Sequence, residues 1–355
     1  MSFEVLDPLN TAHREKWLKL WSELIDREVF AHPEYVSLLG EPDSQKLCAS
    51  WEFDGNVVLF PFVLRPLSNL PWVSTAEYYD IATPYGYGGA FFHGEPSATQ
   101  FWNCFRQWCL EKHVVSCFAR LSLFSEQVLP FDGTVVKQQD NVVCDLRLTP
   151  DEMWAKYEAK VRKNVKRAIN SGVTVEMDGD GRRLCDFFRV YWTTMQRREA
   201  GQFYFFSESF FNALVDRLQG MFCFFHAIFE GEVVSTELVL VSSRRIYSFL
   251  GGTLECHYNL RPNDLLKHEI IKWGICHGFS EYVLGGGVTP NDGIFTYKKS
   301  FAPSGIRPYT LGKQVYDQAI YNRLVLGRHD WLQQQNLSDQ STQYFPLYRG
   351  PYRME

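Results

Sequence analysis

The chain has 355 residues, which at about 100–200 residues per domain is enough for two domains. Its residues are 45% hydrophobic and 22% charged, as in a globular protein, and a net charge of −5 with a pI near 6.0 excludes nucleic-acid binding by bulk charge. The nine cysteines are scattered, odd in number and form no C-x-x-C pair, which fits reduced, mostly buried thiols in a cytosolic protein best.

The opening Met1-Ser2-Phe3-Glu4-Val5-Leu6-Asp7 lacks the basic region and apolar core of a signal peptide. No apolar run approaches the roughly 18 residues of a membrane span. Residues 12–28 have helical periodicity, with Trp17, Leu20, Trp21 and Ile25 apolar. Residues 46–53 and 56–64 flank Asp54-Gly55, a hairpin signal. The run Pro84-Tyr85-Gly86-Tyr87-Gly88-Gly89 follows, either a simple turn or a turn whose Tyr85 and Tyr87 floor a substrate cleft. Residues 97–112 read as a helix with Phe101, Phe105 and Trp108 on one face, and residues 115–124 as a strand.

At Thr149-Pro150-Asp151-Glu152 a capped helix begins, with proline at its first position and acids at its positive end. The predicted helix, 150–171, carries Lys156, Lys160, Arg162, Lys163, Lys166 and Arg167. Arg162/Lys166 and Lys163/Arg167 are like-charge i,i+4 pairs that repel each other. An anionic partner would relieve them; the alternative is a solvated face. Residues 181–197 read as a helix, 221–229 and 233–241 as a hairpin around Glu230-Gly231, and 245–250 as a strand ending at Gly251-Gly252. Residues 264–277 read as a helix with Asn263 as N-cap, and 281–284 as a closing strand. The order of elements repeats, with Trp108 and Trp273 at the same place in the two copies, which predicts a duplicated α/β domain. The tail reads as a helix, a mobile linker through its Gln and Ser/Asp/Gln/Thr stretches, and a terminal aromatic segment docked on the body.

The closing strand leads through Gly285-Gly286-Gly287 to Asn291-Asp292-Gly293-Ile294-Phe295-Thr296-Tyr297-Lys298-Lys299-Ser300-Phe301. Lys298, held between aromatic anchors just after a strand end, either faces a cleft and stabilises developing negative charge or is a solvated lysine on an edge strand. Glu237, an acid in the strand run Ser235-Thr236-Glu237-Leu238-Val239-Leu240, is costly to bury unpaired. It serves as a general base or, the weightier option, pairs with an arginine. Asp80 and Asp292 are lesser candidates, more in keeping with turns or caps. Gly251 and Gly252 permit close backbone approach of a ligand, and the segment through Arg261 and Asn263 enters a helix N-terminus, a ready anion site. The histidines lack metal-ligand spacing, so no metal is expected, and no Ser-His-Asp arrangement points to a covalent intermediate.

Together these segments resemble the FemAB/FemX-like transferases, a double-domain branch of the GNAT acyltransferase superfamily. Arg162-Lys163-Asn164-Val165-Lys166-Arg167-Ala168 is similar to the family's R-x-N-x-x-R-A helix. Residues 191–198, followed by Tyr204-Phe205-Phe206-Ser207, resemble its Y-x-x-T-x-x-R…F-F-S segment, and Gly274 through Phe301 resembles its closing signature with Tyr297-Lys298-x-x-Phe301. The run from Asp80 to Gly89 resembles one seen in many bacterial members. The resemblance covers roughly residues 30–310. It implies transfer of an acyl or aminoacyl group from an activated ester or thioester to an amine. It implies an oxyanion or leaving-group role for Lys298 and binding of an anionic acceptor by Arg197 or Arg198. One departure bears on the acceptor. Residues 32–38 carry no lysine where cell-wall members often hold acceptor phosphate, which weighs against a cell-wall nucleotide.

The resulting expectation is an α/β protein of two tandem GNAT-like mixed-sheet modules with flanking helices and a C-terminal tail: residues 1–148, residues 149–310 as the catalytic module, and residues 311–355. Catalysis falls to Lys298 and Glu237. The acceptor set is Arg197, Arg198, Tyr85, Tyr87, Asp80 and Tyr297. The donor set is Gly251, Gly252, Arg261, Asn263, Arg162, Lys163, Lys166 and Arg167. No cofactor is tightly bound; the co-substrate is aminoacyl-tRNA or acyl-CoA, and the missing compact glycine-rich pyrophosphate loop tilts the choice toward tRNA. The alternatives are an acyl-CoA-dependent N-acyltransferase and a non-catalytic RNA- or peptide-binding module on the same fold. The sequence names neither the acyl group nor an oligomeric state.

Overall fold

The structure, a computed structural model, describes residues 2–40, 43–73, 77–199, 201, 204–341 and 344–354. The chain forms two compact units, Met1–Gln138 with Tyr309–Glu355, and Gln139–Pro308. These boundaries fall at 138/139 and 308/309 rather than at 148/149 and 310/311, and residues 309–355 pack with the first unit.

The first unit opens with β1 (Ser2–Leu6), α1 (Thr11–Glu23), α2 (Pro33–Ser37), β2 (Gln45–Phe53), β3 (Asn56–Pro66), β4 (Tyr79–Ala82), β5 (Phe91–His93), α3 (Ala98–Glu111) and β6 (Val114–Arg120). The chain leaves it through β7 (Thr134–Asp145). The second unit holds α4 (Pro150–Lys156), α5 (Ala159–Asn170), β8 (Thr174–Asp178), α6 (Leu184–Arg197), α7 (Glu208–Arg217), β9 (Phe222–Phe229), β10 (Glu232–Val241), β11 (Arg245–Thr253), α8 (Pro262–Cys276), β12 (Glu281–Gly285) and α9 (Gly293–Lys299). The chain returns through β13 (Ile306–Val315) to α10 (Gln318–Gln334), β14 (Leu337–Asp339) and β15 (Tyr352–Met354).

The repeat read from the sequence is a repeat of topology. The first unit orders its strands β1-β2-β3-β4-β6 and the second β8-β9-β10-β11-β12. In each, the first four strands are antiparallel neighbours, and a helix (α3 or α8) connects the fourth to a parallel fifth, the register pairing Ala82 with Phe118 and Tyr247 with Val283. β13 then adds antiparallel to β6, and β7 antiparallel to β12. In each unit the strands bury one face under the crossover helix. Phe101, Phe105 and Cys109 of α3 cover Phe60 and Phe62 of β3. Leu266, Ile270 and Ile271 of α8 cover Val239 and Ile246.

Several predicted bounds change; the helix expected over 12–28 ends at Glu23, before the extended Leu24, and the strand expected over 115–124 ends at Arg120. Residues 150–171 form two helices, because Tyr157 is extended and Glu158 N–H donates instead to Ser300 O, at 2.9 Å. Arg162 then donates to the carbonyls of Ala155 and Tyr157, closing the end of α4. β11 runs past the glycine pair to Thr253, since Gly251 and Gly252 pair with Glu237 and Thr236. α8 begins at Pro262 behind Arg261, which takes a left-handed conformation (φ 60°, ψ 40°), so Asn263 is inside the helix and not its N-cap. β8 precedes a shorter α6. Asp178 at its end accepts the N–H groups of Asp180, Gly181, Arg182 and Arg183 and turns the chain. In the tail, Thr342 and Gln343 of the expected linker lie outside the described residues. Tyr348 is buried and bonds Ser116, which docks the terminal segment on the first unit.

Candidate functional site

β10 is buried along almost its whole length, so its one interior acid, Glu237, is carried to 3% exposure. A carboxylate there needs charge and hydrogen-bond partners. Lys267 of α8 supplies them, its Nζ donating to Glu237 Oε1 at 2.5 Å, Ser248 Oγ at 2.9 Å and Tyr282 OH at 3.2 Å. Tyr282, from β12, donates to the same Oε1. Burial and the adjacent Glu237 charge hold the Tyr282 hydroxyl well above its ordinary pKa. The expected arginine partner is therefore a lysine. Its signal lies in the helix pattern: Lys267 shares the i, i+3, i+4, i+7 face of α8 with buried Ile270, Ile271 and Gly274.

Lys298 lies in the last turn of the short helix α9, not on a strand edge. Asp292 caps that helix, accepting from Phe295 N–H at 2.8 Å, while its other oxygen takes the N–H groups of Val288 and Thr289 at 2.6 and 3.1 Å. Phe295 and Phe301 are buried, with Tyr297 edge-on to Phe301 at 5.4 Å between ring centres. So the helix is pinned by its aromatic residues, as the spacing implies. Lys298 Nζ reaches back to Gly286 O at 2.7 Å, its one acceptor among the described residues. Burial first, then the nearby Lys267 ammonium, push the Lys298 amine down to about 7, against the opposing pull of Glu237 and Asp292. The Tyr297 hydroxyl is buried near Asp264, Glu237 and Asn263, and burial holds its pKa high. The structure thus brings Lys298, Glu237 and Tyr297 together and adds Lys267, Tyr282 and Ser248.

The other candidates divide. Arg197 ends α6 with its guanidinium over the Tyr258 ring at 4.9 Å, and Arg198 is exposed beside it. Gly251 and Gly252 are not open to a ligand on their Cβ sides. A Cβ would lie 2.6 Å from Thr236 O at Gly251 and 2.4 Å from Thr194 Oγ1 at Gly252, so the glycines admit β10 and α6. At the start of α8 the anion position beside Arg261 is shared with the chain's own Asp264. Asp264 is buried, accepts from Asn164 at 3.1 Å and has its pKa raised by desolvation. On α5, Val161, Val165 and Ala168 face the core. The opposite face is an open groove lined by Arg162, Lys163, Lys166 and Arg167, three of them without the carbonyl bonds that hold Arg162.

Tyr85, Tyr87 and Asp80 belong to the first unit. Tyr85 O accepts from Tyr35 OH at 2.6 Å, and Tyr87 packs edge-on between Phe30 and Tyr309. Gly86, at φ 115°, is required because a Cβ would strike the Phe30 ring at 2.3 Å. Asp80 departs from the substrate-binding expectation. It is fully buried, with Arg65 Nε at 2.8 Å and Arg349 Nε at 2.6 Å. Both oxygens are committed, and the pair ties the tail to the sheet. Asp80→Ala is expected to destabilise the protein by about 3–5 kcal/mol, as for removal of one partner from a buried ion pair. Urea unfolding measures this, with hydrogen exchange showing early loss of protection around residues 345–350.

Residues 155–299 match the acetyltransferase (GNAT) domain family. UDP-N-acetylmuramoylpentapeptide-lysine N(6)-alanyltransferase of Weissella viridescens is 26% identical over 195 residues, 52% of this chain and 56% of that protein. The match thus spans little more than half the length of that relative. Among solved structures, FemX superposes with a TM-score of 0.67 at 13% identity, over 91% of this chain and 99% of that one. The C-terminal domain of a putative lysylphosphatidylglycerol synthetase from Agrobacterium fabrum superposes with a TM-score of 0.55 at 12% identity, over 90% and 97%. At such identities these structures share a fold with this chain. No helix among the described residues is long and apolar enough to cross a membrane.

Proposed function

Since this chain is a FemAB/FemX-like member of the GNAT superfamily, an α/β protein of two tandem GNAT-like mixed-sheet modules with flanking helices and a C-terminal tail, we propose that it transfers an aminoacyl group from a tRNA ester to an amine. The observation that carries this reading is the position of Lys298. Its side chain is half-buried on a helix anchored by the buried Phe295 and followed by the buried Phe301, and its amine is held by one carbonyl among the described residues, with N–H groups left for an incoming oxygen.

In the proposed reaction a neutral acceptor amine attacks the ester carbonyl carbon and a C–N bond forms. The carbonyl oxygen becomes an oxyanion, which the Lys298 ammonium stabilises in a site of low polarity. The C–O bond to the ribose then breaks, and the proton released by the amine ends on that ribose oxygen. Glu237 is shielded behind Lys267 and Tyr282, so it organises the site and does not serve as the base.

Two features favour a tRNA donor over acyl-CoA. Asp264 places a carboxyl group at the start of α8, where a donor pyrophosphate would sit in a GNAT-like module. The exposed cations of α5 offer a separate track for a phosphate backbone. The alanyltransferase of Weissella viridescens supports an amine acceptor on a peptide, and Arg197 and Arg198 are the proposed acceptor contacts. The decisive assay supplies purified protein with labelled aminoacyl-tRNAs or acyl-CoAs and reads the product by mass spectrometry. Transfer from acyl-CoA alone overturns the donor assignment.

The α5 track has its own test. Lys163→Ala, Lys166→Ala and Arg167→Ala should each weaken tRNA binding and lower the slope of log affinity against log salt by about one for each phosphate no longer neutralised. kcat at saturating tRNA should stay unchanged. Equal slopes in all variants and wild type would remove α5 from the donor site.

A further inference from the structure

We propose that Arg162 is a positioning residue for Lys298 and not one of the phosphate contacts of α5: it fixes the joint between α4 and α5, and that joint fixes the end of α9. This rests on the transferase reading, because it concerns the amine assigned to the oxyanion.

Arg162 differs from its neighbours on α5 in burial and in partners. Lys163, Lys166 and Arg167 are exposed, whereas Arg162 is half-buried. Its Nη1 donates back to Ala155 O at 3.3 Å and to Tyr157 O. Those carbonyls belong to the last turn of α4 and to the extended residue that ends it. That end of the guanidinium is therefore spent inside the chain.

The joint is bonded in turn to α9. The Tyr157 carbonyl and the Glu158 N–H are the two ends of one planar peptide unit. The arginine that holds the oxygen therefore also aims the N–H, which donates to Ser300 O at 2.9 Å. Ser300 is the C-cap of α9, two residues beyond Lys298. The Tyr157 ring meets the Phe301 ring edge-on at 5.4 Å, both buried, and Phe301 packs against Tyr297 at 5.4 Å. A helix of seven residues is too short to hold its own direction. α9 takes it from its two ends, from the Asp292 cap at the start and from this peptide plane at the finish. Moving the finish shifts the Lys298 amine from its 2.7 Å contact with Gly286 O. An arginine that only capped α4 would leave the Glu158 N–H to water; here that N–H is carried across to the helix of Lys298.

The test uses Arg162→Met, which keeps an apolar stem and removes the donors. Without substrate, hydrogen exchange should quicken about tenfold at Glu158 and at Ser300, Phe301 and Ala302, whose N–H groups close α9, as on losing one hydrogen bond. Ile270 and Ile271 of α8 should exchange as in the wild type. In aminoacyl transfer kcat should fall by about 10–10², the scale of loss when a distant mutation misplaces a group by about 1 Å. Affinity for tRNA and its salt slope should stay at wild-type values. Four results overturn the proposal: wild-type protection at residues 300–302, faster exchange spread equally over α8, a kcat that does not fall, or a salt slope lowered by about one. If Arg162→Met does not fold, Arg162→Lys keeps the charge while its amine stops short of the two carbonyls, and the same readings of exchange and kcat decide. The exchange measurement needs no substrate. A protein that transfers from no donor therefore overturns the transferase reading, while exchange at residues 300–302 still decides whether Arg162 sets α9.

Discussion

Lys298→Met should lower kcat by about 10²–10³, the usual loss on removing one oxyanion donor, with the KM values for donor and acceptor little changed. The methionine keeps the length and apolar contacts of the side chain between Phe295 and Phe301, so the loss reports charge rather than collapse of α9. Lys298→Arg should retain part of the rate. The pH dependence carries the sharper signature. With its amine pushed down to about 7, wild-type Lys298 loses its proton as pH rises through neutrality. kcat/KM should therefore fall on the alkaline side from about pH 7, and in Lys298→Arg that limb should disappear. Stability should respond in the opposite sense. Between about 7 and the ordinary lysine value the unfolded chain binds a proton that the folded chain does not, so folding is least favoured below pH 7 and gains as pH rises. Lys298→Met should thus raise the melting temperature most below pH 7, and the gain should fade toward pH 10. A variant with full kcat, or with the alkaline limb in place in Lys298→Arg, would take Lys298 out of the chemistry.

The parts of this molecule that are legible in its sequence are those written in local pattern. Asp54-Gly55 and Glu230-Gly231 are both hairpin turns, with Asp54 and Glu230 at positive φ. The Thr149 cap is present, with Glu152 closing the box from inside the helix. The repeat marked by Trp108 and Trp273 corresponds to two units with the same strand order. Local pattern misleads where contacts distant in sequence overrule it. The helical run 150–171 breaks because Ser300, far along the chain, takes the Glu158 N–H. The glycine pair at 251–252 reads as a ligand approach because the sequence does not show that α6 crosses there. Asp80 reads as available because one of its partners, Arg349, lies 269 residues further along the chain. The site divides the same way. Lys298 is visible from its aromatic flanks, whereas Lys267 is hidden by the habit of reading helical lysines as solvated, although its face of α8 is otherwise apolar.

Glu237→Leu should destabilise the protein by about 3–5 kcal/mol, because it leaves the Lys267 ammonium buried with two neutral hydroxyl partners. The leucine itself is not at fault, since β10 is already lined by Val233, Val234, Leu238, Val239 and Leu240. The double variant Glu237→Leu/Lys267→Met tests this. It fills the same volume with apolar atoms, and a buried ion pair replaced whole by hydrophobic residues is often neutral or stabilising. Most of the lost stability should therefore return in urea unfolding, giving a large negative coupling energy between the two positions. The wild-type pH profile should not return with it. Without Lys267 the Lys298 amine holds its proton to higher pH, and without Glu237 the opposing pull is gone, so the alkaline limb should settle above that of the wild type. Stability restored together with a displaced pH profile would separate the two jobs of this pair. Had the pair only held β10 against α8, the restored fold would carry the wild-type profile with it.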